Sequence, residues 1–429
     1  MDSDNSTIAA VGEPSAPTRP NALRVLANRD YALYWVGLLI SATGSWMQNV
    51  AQGWLVFDLT GSKLYLGIVG AAGTLPMLFL ALPGGVIADR FNKRRITILT
   101  QSLAMFQAFV LGLLTVKGLI KPWHVVLLAG FMGLVNSLDV PARQAMTVEI
   151  VGKSDLLSAV ALNSSAFNGA RILGPAIAGV IVGISGAGMC FLINAASYLA
   201  VIISLIIIRP TPLGATSSDA SMMLQIREGL AYARRNPVIR DLLLLTGVAS
   251  IFGLQYGTLI PALAKEVLRV GPERFGILVS SAGIGSVAAA VSIAAIGHLL
   301  MPRKVVSIGS ILAPLGIIAL SLTRQYFIAA ACLVVIGFGM MLFLAVSNSI
   351  VQVASPDELR GRILSLRTLV FMGVAPIGSL QIGWFAQHFG VRASLAVGGI
   401  LCLISALYFA LKPESTNISP ETFSASTAT

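Results

Sequence analysis

Charge and cysteine are what this chain has least of. Only 11% of its 429 residues are Asp, Glu, Lys or Arg, whereas a water-soluble domain carries about a quarter. There is too little polar surface to clothe a soluble globule of this length. The three cysteines (Cys190, Cys332, Cys402) and three histidines share no metal-ligand spacing, which excludes a disulfide scaffold and a Cys/His metal site. All three cysteines fall in apolar runs and read as small core residues. The phosphate-cradling Gly-x4-Gly-Lys-Ser/Thr loop is missing, so ATP is not the direct drive. No nucleophile, base and acid share a catalytic pattern. The chain is therefore not read as an enzyme, and neither cofactor nor metal is expected. Residues 1–30 are polar and lack the apolar core of a cleavable signal peptide, so the first apolar run has to serve as the insertion signal.

Long apolar runs fill the space the charges leave. Apolar residues make up 56% of the chain and the mean hydropathy is +0.84. A helix needs roughly 20 apolar residues to cross a bilayer. The uncharged runs Ile96–Val116 and Leu242–Ala264 hold 21 and 23 residues and fit one crossing each. The run from Ile172 to Ile208 is too long for one, and Gly183, Gly186 and Gly188 divide it. Counting in this way predicts an all-α integral membrane protein with twelve transmembrane helices, near 32–57, 65–88, 96–116, 122–146, 157–182, 187–208, 241–264, 275–300, 305–323, 326–353, 362–387 and 392–411.

These spans form two six-helix pseudo-repeats: Asp155 before the fifth span matches Asp357 before the eleventh, and Gly174-Pro175 matches Ala375-Pro376. The expected organisation is a tail over 1–30, a first half over 31–208, a linker over 209–240, a second half over 241–412 and a Ser/Thr-rich disordered tail over 413–429. Within the linker, Met222 to Arg235 is amphipathic and is expected to lie on the inner membrane surface.

The net charge of +11 would in a soluble chain suggest nucleic acid, but its distribution argues for a membrane. With the first span entering from the inside, inner loops and tails take 20 of the 29 Lys and Arg, outer loops take 8, and Arg171 lies within a span. That asymmetry puts both termini in the cytoplasm, and no basic nucleic-acid module accompanies it. The densest cluster is the short turn from Gly84 to Arg95 between the second and third spans, with Asp89 beside Arg90, Lys93, Arg94 and Arg95.

Polar residues inside the spans fall on helical faces. Ser41, Ser45, Gln48 and Gln52 step by four, three and four along the first span, and Trp46 and Trp54 flank the two amides. Interhelical bonding and cavity lining both remain open for these amides. In the fifth span Ser164, Asn168, Arg171 and Pro175 repeat the step beside Asn163. A base inside the membrane marks a functional site by default, and Arg171 suits anionic or catecholate-like groups. Gln255 and Tyr256 of the seventh span and Asn348 of the tenth complete the expected cavity set. Asp139 and Arg143 are four apart and can pair. Asp139 is also the leading proton-coupling candidate among the few titratable groups. Gly174, Pro175 and Gly179 provide a kink and a close-packing surface.

Gly85, Asp89, Arg90, Lys93 and Arg94 resemble the signature loop of the major facilitator superfamily, G-x-x-x-D-R-x-x-R/K-R/K, in its expected place. Asn92 stands where a glycine is usual, a departure that the tolerance of Asn for left-handed backbone accommodates. The run from Gly174 to Gly179 is similar to the exporter-associated motif of the fifth helix. Trp46 to Trp54, Asp139 to Gln144, Asn163 to Gly179 and Pro356 to Arg362 resemble more closely the enterobactin-exporter and macrolide-efflux branch. The resemblance implies a monomeric secondary exporter in the cytoplasmic membrane, moving an amphiphilic small molecule, siderophore or drug, by alternating access in antiport with protons. It also implies a cytoplasmic gate of Gly85, Asp89, Arg90, Arg94, Arg143, Arg360 and Arg362. The second half has Met301 where an acid would match Asp89, so the gate is expected to be asymmetric. A lipid or lysolipid flippase of the same fold and a non-transporting membrane sensor are the alternatives.

Overall fold

With no water in a bilayer core, a spanning segment has to satisfy its backbone groups internally, and helices do so residue by residue. The computed structural model describes residues 22–152, 155–208 and 222–412, with the side chains of 22–24, 81–90, 222–226, 298 and 357 outside that set. The described residues form helices and no strand. In chain order they are α1 (Arg29–Thr60), α2 (Lys63–Arg90), α3 (Lys93–Val116), α4 (Pro122–Val151), α5 (Leu156–Ser185), α6 (Ala187–Ile207), α7 (Met222–Arg235), α8 (Pro237–Val248), α9 (Tyr256–Ala262), α10 (Pro272–Ile296), α11 (Pro302–Leu322), α12 (Tyr326–Ala354), α13 (Asp357–Gly373), α14 (Ala375–Phe389) and α15 (Val391–Leu411).

Eleven helical stretches are long and apolar enough to cross a membrane. Two are composite. Residues Pro237–Val267 join α8 and α9 through π-helical turns, and Glu358–Phe389 join α13 and α14 at Val374, ahead of Pro376. α1 has 32 residues, ample for a twelfth crossing, but its serines, amides and tryptophans hold down its hydropathy.

The helix ends follow capping chemistry. Asn28 accepts from the Asp30 and Tyr31 N–H groups (3.0 and 3.3 Å) to open α1, and Gly61 closes it at φ 57°. Asn92 has φ −63° and accepts from the Arg95 N–H at 3.1 Å. It serves as the N-cap of α3, so the left-handed turn expected there does not form.

Helices α1–α6 make one bundle and α8–α15 the other, and α7 packs on α13 of the second. The end of the molecule carrying the α2–α3 turn is called here the hairpin end, and the end carrying Gly61 the far end. The largest buried apolar cluster joins both bundles: Met47, Trp54 and Leu66 from the first meet Leu259, Phe275 and Ile382 from the second. The remaining clusters stay within one bundle.

Glycine makes the two bundle seams possible. Along α5–α10, a Cβ on Gly276 would stand 2.4 Å from the Pro175 carbonyl oxygen, and one on Gly179 would stand 2.7 Å from that of Pro272. Along α2–α14, a Cβ on Gly67 would stand 2.4 Å from the Ser379 carbonyl oxygen. Only a residue without Cβ permits backbones this close.

Candidate functional site

Between the bundles lies a cavity of about 480 Å³, lined by α1, α2, α4, α9 and α10. Its polar wall consists of Gln48, Asn49, Gln52, Thr74, Asn136 and Thr258, and Trp46, Val69 and Phe275 supply apolar surface. The periodicity of α1 explains the lining, since residues 45, 48, 49 and 52 share a face. Asn49, Thr74, Asn136 and Thr258 escaped the sequence reading because isolated uncharged polar residues in apolar runs carry no signal of direction. The neighbours Gly70, Gly73 and Gly133 offer a retrospective signal, because they thin the wall there.

The two amides of α1 differ in their surroundings. Gln48 is 5% exposed; its Nε2 donates to Gln107 Oε1 (3.0 Å) and its Oε1 accepts from Asn194 Nδ2 (2.8 Å). Gln107 donates onward to the Leu128 carbonyl at 3.2 Å. Gln48 therefore bonds α1 to α3 and α6 while touching the cavity with its edge. Gln52 lines the same wall without a hydrogen bond of that kind among the described residues.

At mid-depth Arg171 of α5 stacks over Trp46 of α1, 5.7 Å from the ring centroid, with the Tyr256 hydroxyl of α9 nearby. Three helices from both bundles meet there. Pro175 has no N–H to give the Arg171 carbonyl, and α10 packs on this turn, with Ser280 donating to the neighbouring Ile172 carbonyl at 2.7 Å. A Cβ on Gly174 would stand 2.6 Å from that of Trp46, so this glycine sets the α1–α5 approach, while Pro175 and Gly179 face α10.

The other expected cavity residues have structural partners. Asn163 sits near the hairpin end between the Tyr31 hydroxyl (3.1 Å) and Thr147 Oγ1 (3.2 Å). Asn168 donates to Ser164 one turn back at 2.9 Å. Gln255 braces the π-helical break, donating to the Ser250 carbonyl (3.1 Å) and accepting from Ser379 Oγ (2.8 Å). Asn348 accepts from Arg367 Nη1 at 2.9 Å.

Arg367 is the principal base that the sequence reading missed. It falls inside the expected span 362–387 but is tallied with the inner-side bases, and it stands on α13 inside the second bundle. It also donates to the Leu344 carbonyl (3.1 Å) and Ser347 Oγ (3.2 Å), and its Nε is buried with no acceptor among the described residues.

Asp139 and Arg143 form the expected pair, Nε to Oδ2 at 2.8 Å, in an ion-pair geometry too oblique for a hydrogen bond. Asp139, 3% exposed, also accepts from Thr100 Oγ1 (2.7 Å) and Gln101 Nε2 (2.8 Å). Arg143 lies over the Phe167 ring at 5.5 Å.

Of the expected gate, Gly85, Asp89 and Arg90 lie outside the described side chains. Arg94 donates to the carbonyls of Leu205 (2.5 Å) and Ile206 (2.8 Å), closing the C-terminus of α6. Arg303 does the same for α15 through the carbonyls of Phe409 and Lys412, which extends the repeat to its capping cations. Arg360 donates to the Gln352 carbonyl at 3.2 Å, and Arg362 pairs with Glu228 of α7.

The far end is latched across the bundles. Lys63 pairs with Glu266 at 2.5 Å, and Lys265 pairs with Asp58 while standing 4.7 Å over Trp54. Gln387 Oε1 accepts from the Lys63 N–H (2.9 Å) and Ser62 Oγ (3.2 Å) at the start of α2.

Two bundles meeting at glycine seams around a central cavity with one polar wall make the major facilitator fold, and the family and relatives that the chain matches are multi-pass membrane transporters, not enzymes. Over residues 21–422 the sequence matches the model of the transmembrane secretion effectors, and the chain belongs to that family. It is 26% identical to the staphyloferrin A transporter of Staphylococcus aureus, over 85% of this chain and 92% of that one. It is 25% identical to the multidrug efflux pump Tap of Mycolicibacterium fortuitum (83% and 89% covered) and 22% identical to macrolide efflux protein A of Streptococcus pyogenes (87% and 93%). Among solved structures, the chain is similar to the nucleoside transporter NupG at TM-score 0.70 and 13% identity, covering 91% of this chain and 98% of that one. A bacterial homolog of the human lysosomal transporter Spinster gives 0.71 at 14% identity, with 95% and 98% covered. These likenesses establish the fold.

Proposed function

We propose that the chain is a secondary exporter that carries an amphiphilic small molecule of siderophore or drug type out of the cytoplasm by alternating access. The observation that carries this reading is the cavity between the bundles, whose far end is closed by contacts that cross from one bundle to the other. Each bundle keeps its own core at the hairpin end, so the bundles can rock about the glycine seams without unfolding either. The efflux and siderophore relatives support the outward direction. The basic hairpin end belongs in the cytoplasm under the positive-inside rule, with both termini inside and the monomer spanning the cytoplasmic membrane as halves 31–208 and 241–412. Asp89 closes that side by docking near Arg360 and Arg362 of α13. Asp139, a buried carboxylate between α3 and α4, takes the coupling proton in antiport.

Efflux from loaded vesicles over siderophores, macrolides, dyes and lysolipids, with and without an uncoupler, tests the proposal. Uncoupler-sensitive efflux of at least one siderophore or drug is expected. Movement of lysolipids alone, or no cargo moved faster than by empty vesicles, overturns it. Asp89→Asn is expected to cut efflux at least tenfold with insertion unchanged, and normal efflux by this variant removes the gate. Asp139→Asn is expected to abolish the response to the uncoupler.

A further inference from the structure

Charge inside the membrane is unbalanced. Among the described residues, three guanidinium groups stand on helices well away from their ends: Arg143 on α4, Arg171 at the middle of α5 and Arg367 on α13. One carboxylate, Asp139, accompanies them, and it is already engaged by Arg143, Thr100 and Gln101. Arg171 and Arg367 have neutral partners only. Arg171 lies against the Trp46 face and the Tyr256 hydroxyl. Arg367 donates to Asn348, Ser347 and the Leu344 carbonyl, and its Nε has no acceptor among the described residues. Among the described residues each bundle thus carries one such cation without a counter-ion, and the cavity that opens beside Trp46 is lined by uncharged side chains.

An uncompensated charge in a low-dielectric wall is unfavourable unless water or an opposite charge reaches it. Arg171 is half-buried and stands over Trp46, which lines the cavity. Arg171 raises a positive potential at that wall and Arg367 adds to it from α13, which concentrates anions and repels cations. The guanidinium fork matches a carboxylate or other planar oxyanion in two-point geometry, and the indole of Trp46 offers a flat surface beside it. Gln52, Asn49 and Asn136 can meet the hydroxyl and amide groups of the same molecule.

We infer that the cargo is an anionic amphiphile, one that carries a carboxylate or comparable oxyanion next to an aromatic or other planar apolar group. Arg171 and Trp46 form its primary contact, and Arg367 is a second attractive step towards the hairpin end. Basic amines are disfavoured at this site. The inference deepens the exporter reading and rests on it for the direction of movement, whereas the binding preference stands on the charges.

The test is equilibrium binding to the purified full-length protein in nanodiscs of neutral phosphatidylcholine, with empty nanodiscs as background. The probes are 5-carboxyfluorescein, an anion, and rhodamine 123, a cation on a similar ring system, read by fluorescence anisotropy. 5-Carboxyfluorescein is expected to bind at least tenfold tighter than rhodamine 123. Arg171→Gln is expected to lower its affinity at least tenfold, and Arg367→Gln about threefold. Equal affinities for the two probes, a preference for rhodamine 123, or unchanged binding by Arg171→Gln overturns the inference. If Arg367→Gln fails to elute as a monodisperse species, the wild-type preference and Arg171→Gln still decide. Selective anion binding without efflux would count against the exporter reading alone, and efflux without selectivity against the anionic cargo alone.

Discussion

Gln48 and Gln52 occupy successive turns of one face of α1, yet their roles diverge with what stands opposite. Gln48 meets Gln107 and Asn194, so its amide bonds three helices, whereas Gln52 meets open cavity. Losing a buried hydrogen-bond partner costs about 1–3 kcal/mol, with the lower part of that range usual between membrane helices. Gln48→Leu is therefore expected to lower the thermal midpoint in detergent by several degrees, and Gln52→Leu to leave it unchanged while reducing transport. The Asp139–Arg143 pair behaves differently because both members are charged. Removing one leaves the other buried without compensation, which typically costs about 3–5 kcal/mol. Arg143→Gln alone should destabilise the protein more than the double variant Asp139→Asn/Arg143→Gln; the thermal midpoints of the two variants test this, and equal values would mean that the pair is not coupled. Both residues and their spacing were legible in the sequence. Their partners Thr100 and Gln101 were not, because nothing in α3 says which of its polar residues faces α4.

At the level of helices, the informative positions are the glycines. Gly67, Gly70 and Gly73 lie three apart and read from the sequence as a close-packing stripe, but they serve two neighbours. Gly67 and Gly70 approach Ser379 of α14, whereas Gly73 approaches Gly133 of α4. The first contact crosses the bundles and has to open if the far end opens. Gly67→Val is expected to hold the α2–α14 seam apart. In a background lacking the three buried native cysteines, a cysteine at Thr258 should then react faster with a membrane-impermeant thiol reagent added at the far end. An unchanged rate would mean that the seam closes by another route. The amphipathic stretch from Met222 to Arg235 was legible as a helix and expected on the membrane surface. Its seat against α13 was not legible, because Glu228 and Arg362 are distant in sequence and each reads alone as an ordinary surface charge.

Across the whole molecule, the two ends are held unequally. The far end has the ion pairs Lys63–Glu266 and Lys265–Asp58, both crossing the bundles and both partly exposed. Exposed pairs contribute about 0.2–1 kcal/mol each, so the latch biases the conformational equilibrium and does not lock it. Removing both pairs with Asp58→Asn/Lys63→Gln should raise the far-end-open population by roughly twofold to thirtyfold, read as spin-label distances between the α1–α2 turn and α10. Raising the salt should move wild type in the same direction and the double variant much less. No change in the distance distribution would remove the latch.

Composition and periodicity alone determined the membrane class, the positions of the spans, the repeat and the polar faces of α1 and α5. Each of these depends on local hydrophobicity or on residues a helical turn apart, which the chain carries in its order. The tertiary structure decided which amide bonds a neighbour and which borders the cavity, that Arg94 closes α6, and that Arg367 bonds α12 inside the second bundle. Those outcomes depend on which helix lies opposite, and packing between segments hundreds of residues apart is written in no single stretch of sequence. The Gly84 to Arg95 turn shows both sides: its charges mark it at once, while the partner of each charge is a matter of how the two bundles are arranged.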